Sequence, residues 1–514
     1  MVDMASAIQL PRTLLIYAIT IPLALVLGYL LTSVEVISSF AALVLVVLVL
    51  LMPILIRSHH AILLFAWSAA LGLSFFPGSP ALWMLMVVLS LGFTILNRIL
   101  DRESTWNNIP AVTWSLVLLG LVVLVTAKLR GGITLATVSG GANVGGKAYF
   151  TLFLAILGYF ALSAVSIPLG RVKRSIKLFY LSGLTAPVPH LILIAGPALY
   201  FLFVIFPPTT ASMQYMAELE GSPVVRYGGI AVGCEAVIHY LLARYGIRDL
   251  LSIGQPLLTL TFLIAVILAP LGGFRSALGG IAILFTVQFF LEGLHRTKFL
   301  PLLLAGTVLG GLALIPLAPI LPGAAQRALS FLPINIDAQT RSEAEASSDW
   351  RFDMWHDLLP ELHNYVLVGK GYQINLSDVY LAEESIRRGL GRSYEPGMLA
   401  GNYHNGPLSV YIPFGSVGLL AFLLFWVAAL RTLYHNYRYG EPALRRINTF
   451  LLASFISEMI IFTFIFGALS SQFCVFTGTV GLGVALNHGV RTPSQTRKSR
   501  PLQTRANPAF RTMA

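Results

Sequence analysis

Three short stretches have residue types and positions that chemistry can use. Arg226 and Arg275 stand at the openings of apolar segments, and His404-Asn405-Gly406-Pro407 opens another. A cation in the first turn of a helix opposes the positive partial charge of the peptide dipoles there. Two such cations on one membrane face, one of them after Gly272-Gly273, whose amides can turn toward a ligand, describe a site for an anion. The same positions also let each arginine reach lipid phosphate or pair with Glu218 and Glu220. Pro407 suits the first helical position and Asn405 a cap beside it. His404 is then either a bystander of that cap or, with a reference pKa of roughly 6.5, a base that works near neutral pH.

Other charged residues compete for attention. No D-x-D pair is present to hold a divalent ion, and Glu343-Ala-Glu345 and Glu218-Leu-Glu220 read as solvated acids. Arg351, Arg387, Arg388 and Arg392 lie in one long polar stretch, where Arg387 and Arg388 beside Glu383 and Glu384 suit an exposed, salt-bridged helix. Glu235 and His239, four residues apart, and Glu458 fall inside apolar segments. Ionisable residues there either relay protons in a carrier or brace neighbouring helices.

The elements that must position these residues are membrane helices. Of 514 residues, 56% are hydrophobic and 11% charged, against about 25% charged in soluble domains. Segments of spanning length fall near 14–32, 36–56, 60–77, 81–97, 110–127, 149–169, 183–206, 228–243, 250–270, 275–294, 299–319, 407–430, 448–467 and 471–487. The predicted fold is therefore an all-α polytopic bundle of about fourteen (12–14) transmembrane helices. Arg12 followed by apolar residues reads as an uncleaved first span, not a signal peptide. Cys234 and Cys474 both lie in apolar spans and offer no disulfide framework.

The net charge of +12 belongs to loops on the cytoplasmic side and does not indicate nucleic acid. Arg57, the group from Arg171 to Lys177, Arg244, Arg296 and Arg438 occupy alternate connections, and the tail beyond residue 488 is basic. That pattern puts both termini on the cytoplasmic side and residues 321–406 on the outer side. The chain divides into N-terminal helices (1–204), central helices with the arginines (205–320), a large outward-facing loop (321–406), three last helices (407–487) and a basic tail (488–514). The glycine-rich segment 129–148 lacks the pattern of a phosphate loop and reads as a flexible connection. Within the large loop, Asp349 to Tyr365 has helical apolar spacing that predicts an amphipathic helix on the membrane surface, ended by Pro360, with Trp350 and Trp355 at headgroup level.

The order of these motifs resembles the O-antigen ligase and O-antigen polymerase superfamily over about residues 205–430. Gly272-Gly-Phe-Arg-Ser-Ala277 resembles its short arginine motif. Arg351-Phe-Asp-Met-Trp355, Val368-Gly-Lys-Gly-Tyr372 and His404-Asn405 resemble its periplasmic loop, and Val225-Arg-Tyr-Gly228 an earlier arginine motif. Phe274 departs from the pattern, which expects a small polar residue before the arginine. The resemblance implies metal-independent, cofactor-free transfer of a glycan from undecaprenyl diphosphate to a glycan or lipid acceptor hydroxyl. It implies that Arg275 and Arg226 grip the diphosphate and that His404 activates the acceptor, with Arg351, Trp355 and Asn405 as further loop contacts. Guanidinium forks suit the charge of a departing diphosphate, and one base-assisted displacement inverts the anomeric carbon. A secondary transporter or polysaccharide exporter is the competing expectation.

Overall fold

In the computed structural model the described residues are 36–74, 76, 78–100, 106–133, 145–212, 214–215, 224–252, 254–373, 376–392, 394–399 and 401–491. The expected first span at 14–32, Glu218 and Glu220, residues 134–144 of the glycine-rich connection and the tail from 492 lie outside them. Long apolar runs satisfy their backbone groups internally by forming helices. The described residues accordingly build helices, with a single isolated bridge between Gly72 and Ala81. Among the described residues, ten helical stretches are long and apolar enough to cross a membrane, and Pro256–Gly272 and Arg275–Leu291 are shorter apolar helices. The chain is a polytopic helical bundle.

Three expected spans differ from what is found. Segments 36–56 and 60–77 contain one continuous helix, Val36–Ser68, because Arg57 to His60 are tolerated in a helix and no Gly or Pro separates the two runs. The expected span 183–206 is broken instead into Val188–Ala195 and a 3-10 helix, Pro197–Val204. Gly196 between them has φ +91°, and Pro197 cannot continue the ladder. The basic residues after 170 ride on a helix, Val172–Leu181, rather than in a loop. Val172, Ile176 and Phe179 are buried on its inner face, while Arg171, Lys173, Arg174 and Lys177 are exposed.

By contacts the chain forms two compact units, Met1–Ile62 and Leu63–Ala514. In the first, described residues 36–62 are helical throughout. The second contains the helices from Leu82 onward and the large polar segment. That segment is held at both ends. At its start, buried Gln326 donates to the Leu321 carbonyl (2.8 Å) and accepts from the Asp337 amide (2.8 Å).

At its end, the polar segment repairs a break in the helix Gly406–Tyr439. Pro413 interrupts this helix and Gly415 leaves helical geometry at φ +67°. The carbonyls of Ile412 and Pro413 accept instead from the amides of Lys370 (2.7 Å) and Gly371 (3.0 Å), and Ser416 donates its amide to the Val366 carbonyl (2.9 Å). A Cβ at Gly369 would overlap the Pro413 backbone, so only glycine allows this approach. Arg130 donates to the Gly369 carbonyl (2.9 Å) and the Tyr149 hydroxyl accepts from the Tyr372 amide (2.7 Å). The Val368-to-Tyr372 motif is thus a fastener between the loop and the membrane helices.

The loop's main helix runs Ala338–Leu358, eleven residues longer at its start than the pattern from Asp349 suggests. Asp337 caps it, its side chain accepting from the Thr340 amide (2.8 Å). A 3-10 helix, Leu359–Tyr365, takes over where Pro360 ends it. Met354 and Leu358 enter a small core with Tyr394, Tyr403 and Ile412, against which Trp350 and Trp355 pack. The two tryptophans therefore pack on the loop's own core.

Candidate active site

The turn at Gly272-Gly273 is the centre around which the arginines collect. Gly273 has φ +70°, a left-handed conformation that favours glycine. A Cβ there would stand 3.0 Å from Cγ of Arg226, so Arg226 lies directly against the turn. The Tyr227 amide donates to the Leu271 carbonyl (3.0 Å) and ties the two segments together. Arg275 is the first residue of the helix Arg275–Leu291, and its N-cap, Phe274, offers no side-chain acceptor. Nη2 of Arg275 donates to the Ala344 carbonyl (2.9 Å) and to Ser348 Oγ (3.1 Å). The arginine that opens the membrane helix therefore holds the loop helix over it.

A third guanidinium arrives from the loop. Arg327, on the short helix Gly323–Ala328, is only 8% exposed, and its Nη1 donates to the Gly273 carbonyl (3.1 Å). Its Nε has no hydrogen-bond partner. A fourth, Arg351, lies over the ring of Trp350, 5.7 Å from its centroid, and its buried Nε is likewise unpartnered.

His404 meets this cluster through the same tryptophan. The imidazole and Trp350 rings stand edge to face with centroids 5.0 Å apart, and Phe466 closes on the other side at 5.0 Å. His404 itself has φ +49°, a region costing a non-glycine residue about 1–3 kcal/mol unless its surroundings enforce it. The enforcement is visible on both sides. Trp355 Nε1 donates to the Tyr403 carbonyl (2.8 Å), and Asn405 caps the next helix by accepting from the Leu408 amide (3.0 Å). At Gly406 a Cβ would overlap the carbonyl of Phe462. The imidazole is thereby fixed with Nδ1 buried and unpartnered.

The electrostatics follow from these positions. Burial and then the Arg351 charge push the His404 pKa down to about 4, so the imidazole is neutral at pH 7. Burial lowers the pKa of Arg226, while Glu343 partly compensates. Arg327 is pushed down to about 10 by burial, then by Arg226 and Arg275, with Glu343 opposing and Arg351 adding to the shift. Arg351 is lowered by burial and by Arg275. Two like charges ~8 Å apart at an effective dielectric near 20 repel by ~2 kcal/mol. Four guanidinium groups sharing one field, with Glu343 as the acid that counts against it, form a place where an anion is strongly favoured.

The structure thus brings together Arg226, Arg275, Arg351 and His404 from segments far apart in sequence. Trp355 and Asn405 adjoin this group as supports of the His404 backbone. The other arginines stand apart: Arg387 and Arg388 both pair with Glu384, and Arg392 pairs with Asp357 (2.5 Å). Glu345 is exposed, whereas Glu343 is partly buried in the arginine field. Glu235, His239 and Glu458 line a cavity of about 370 Å³ whose walls also include Phe274 and Ser276, which flank Arg275, and Phe466. Among the described residues, no group of three His, Cys, Asp or Glu is placed to hold a metal ion. The sequence reading missed Arg327, Trp350 as the bridge to His404, and Glu343. One signal for Arg327 was present, since it is the first charged residue after Lys298.

Against known families, residues 260–423 match the family described as O-Antigen ligase. The match spans Arg275, Arg327, Arg351 and His404, and Arg226 precedes it. A comparison with curated proteins gives no match. Over residues 260–423 the chain is therefore similar to the O-antigen ligase family.

Proposed function

We propose that this protein transfers a glycan from an undecaprenyl diphosphate carrier to an acceptor hydroxyl at the outer face of the bacterial inner membrane, as a surface polysaccharide polymerase or an O-antigen ligase. Arg275 and Arg226 bind the diphosphate. Neutral His404 accepts the proton of the acceptor hydroxyl as its oxygen attacks the anomeric carbon. The bond from that carbon to the phosphate oxygen breaks, the diphosphate leaves with the electron pair, and configuration inverts. Base catalysis of this kind contributes about 10²–10⁴-fold, and preorganised charge at the leaving group adds further stabilisation. In this orientation the loop 321–406 is periplasmic and both termini are cytoplasmic.

The observation that carries the reading is the convergence of one neutral, sterically fixed imidazole with guanidinium groups through Trp350. The family match supports a glycan-transfer role in general. The test is to incubate the purified protein with a defined lipid-linked glycan and candidate acceptors, and to size the products. A ladder of repeats points to polymerisation, and a single addition to a lipid or protein acceptor points to ligation. Donor that stays intact with every acceptor contradicts the proposal.

A further inference from the structure

Arg327 has more charge and more burial than a brace needs. Its hydrogen bond to the Gly273 carbonyl is one that any neutral donor could make. Keeping a cation nine-tenths buried beside three others instead costs repulsion, and the unpartnered Nε adds a desolvation cost. The fold nevertheless fixes this residue firmly. Its neighbour Gln326 is anchored at the Leu321 carbonyl and the Asp337 amide, which leaves the short helix little freedom. A group held at such expense against the turn shared by Arg226 and Arg275 is arranged for a ligand that repays it.

We propose that Arg327 is a further donor-binding residue, whose guanidinium closes on the diphosphate from the loop side while Arg275 and Arg226 hold it from the membrane helices. This rests on the reading of the arginine cluster at the Gly272-Gly273 turn as the donor site. It also gives the loop a role in donor binding independent of His404, since Arg327 and Arg351 both come from the loop and both carry an unpartnered Nε. Glu343, the acid in this field, keeps the empty site from accumulating the full repulsion of four cations.

The experiment measures binding of inorganic pyrophosphate to the full-length protein in detergent micelles, for the wild type, Arg327→Gln, Arg327→Lys and Arg275→Ala, alongside melting temperature. Arg327→Gln keeps a donor for the Gly273 carbonyl and removes the charge. The expected result is pyrophosphate affinity about tenfold weaker, the loss of one charged hydrogen bond, with a melting temperature unchanged or raised as repulsion is relieved. Arg327→Lys recovers part of the affinity. A residue that only braces the turn gives the reverse: lowered melting temperature and retained affinity, which overturns the assignment. If Arg327→Gln does not yield folded protein, Arg327→Lys decides, with unchanged affinity overturning the proposal and a loss of about threefold or more supporting it. Weakening by Arg275→Ala with none by the Arg327 variants removes Arg327 alone from the site. A wild type that binds no pyrophosphate removes the donor-site reading and this proposal together.

Discussion

Two clusters of ionisable residues lie on either side of Phe466, and they are built on opposite principles. Phe466 packs on the His404 ring and also lines the cavity that holds Glu235, His239 and Glu458. The outer cluster is cationic, assembled from four segments, and leaves Arg327 Nε, Arg351 Nε and His404 Nδ1 without partners. The inner cluster is acidic and comes from helices that pack together in any case. In it Gln472 donates to Glu458 (3.0 Å) while its amide oxygen accepts from the Ala468 amide (2.8 Å). Unspent hydrogen-bonding capacity is what a binding site retains, and paired capacity is what a brace consumes. An acidic residue at membrane depth still costs about 2.5–3.5 kcal/mol, so the inner cluster is the one observation that favours a carrier.

The sharpest way to break this contrast is to remove the base. His404→Ala is expected to leave the protein folded and able to bind donor, with transfer slowed about 10²–10⁴-fold. Transfer at the wild-type rate would falsify the role of His404. Next in size is Arg275. Arg275→Ala is expected to lower kcat/KM roughly 10–100-fold, the worth of one or two charged hydrogen bonds, and Arg275→Lys to recover little because the bidentate fork is lost. Ser348→Ala removes one loop contact of the same guanidinium and serves as the control, with an expected loss of no more than about threefold. Equal losses in Arg275→Ala and Ser348→Ala would mean that Arg275 acts by holding the loop.

The pH dependence is a finer probe. Burial and Arg351 hold the His404 pKa near 4 in the empty site, so acidification protonates the base only well below the ordinary imidazole range. At pH 5, kcat/KM should remain within about threefold of its pH 7 value. A bound diphosphate offsets the Arg351 charge and raises that pKa, so the acid limb of kcat should lie above the limb of kcat/KM. Two coincident limbs near pH 6.5 would contradict this. The smallest effect belongs to the inner cluster. Glu235→Gln and Glu458→Gln are expected to change transfer by less than about threefold while shifting the melting temperature. Abolished transfer with His404→Ala intact would exchange the roles of the two clusters.

What could be read from the sequence divides along the same line. Arg275 and His404 stood out because each breaks a local rule, a cation against a helix dipole and an imidazole at a helix mouth. The polytopic bundle followed from hydrophobic length, though the helix count and the break at Gly196-Pro197 depend on packing that periodicity does not express. Arg327, although the first charged residue after Lys298, was passed over because one arginine in a polar stretch looks like any solvated side chain. Only the fold, through the Gly273 carbonyl, gives it an address. Trp355 was expected at headgroup level because amphipathic spacing shows that a residue is apolar on one face and not what that face meets. Its indole in fact holds Tyr403. The extra helical turns before Asp349 were legible in retrospect, since Asp337 and Thr340 have the spacing of a cap.

The most direct test of the account is glycan transfer in detergent micelles, where no membrane potential or proton gradient exists. Wild-type protein and a Glu235→Gln/Glu458→Gln variant would be compared with His404→Ala, using a defined lipid-linked donor and a competent acceptor. The account predicts transfer by the wild type and by the carboxylate variant at similar rates, and near-complete loss in His404→Ala. Donor that is consumed only when a gradient is imposed across a sealed membrane, with His404 dispensable, would contradict it.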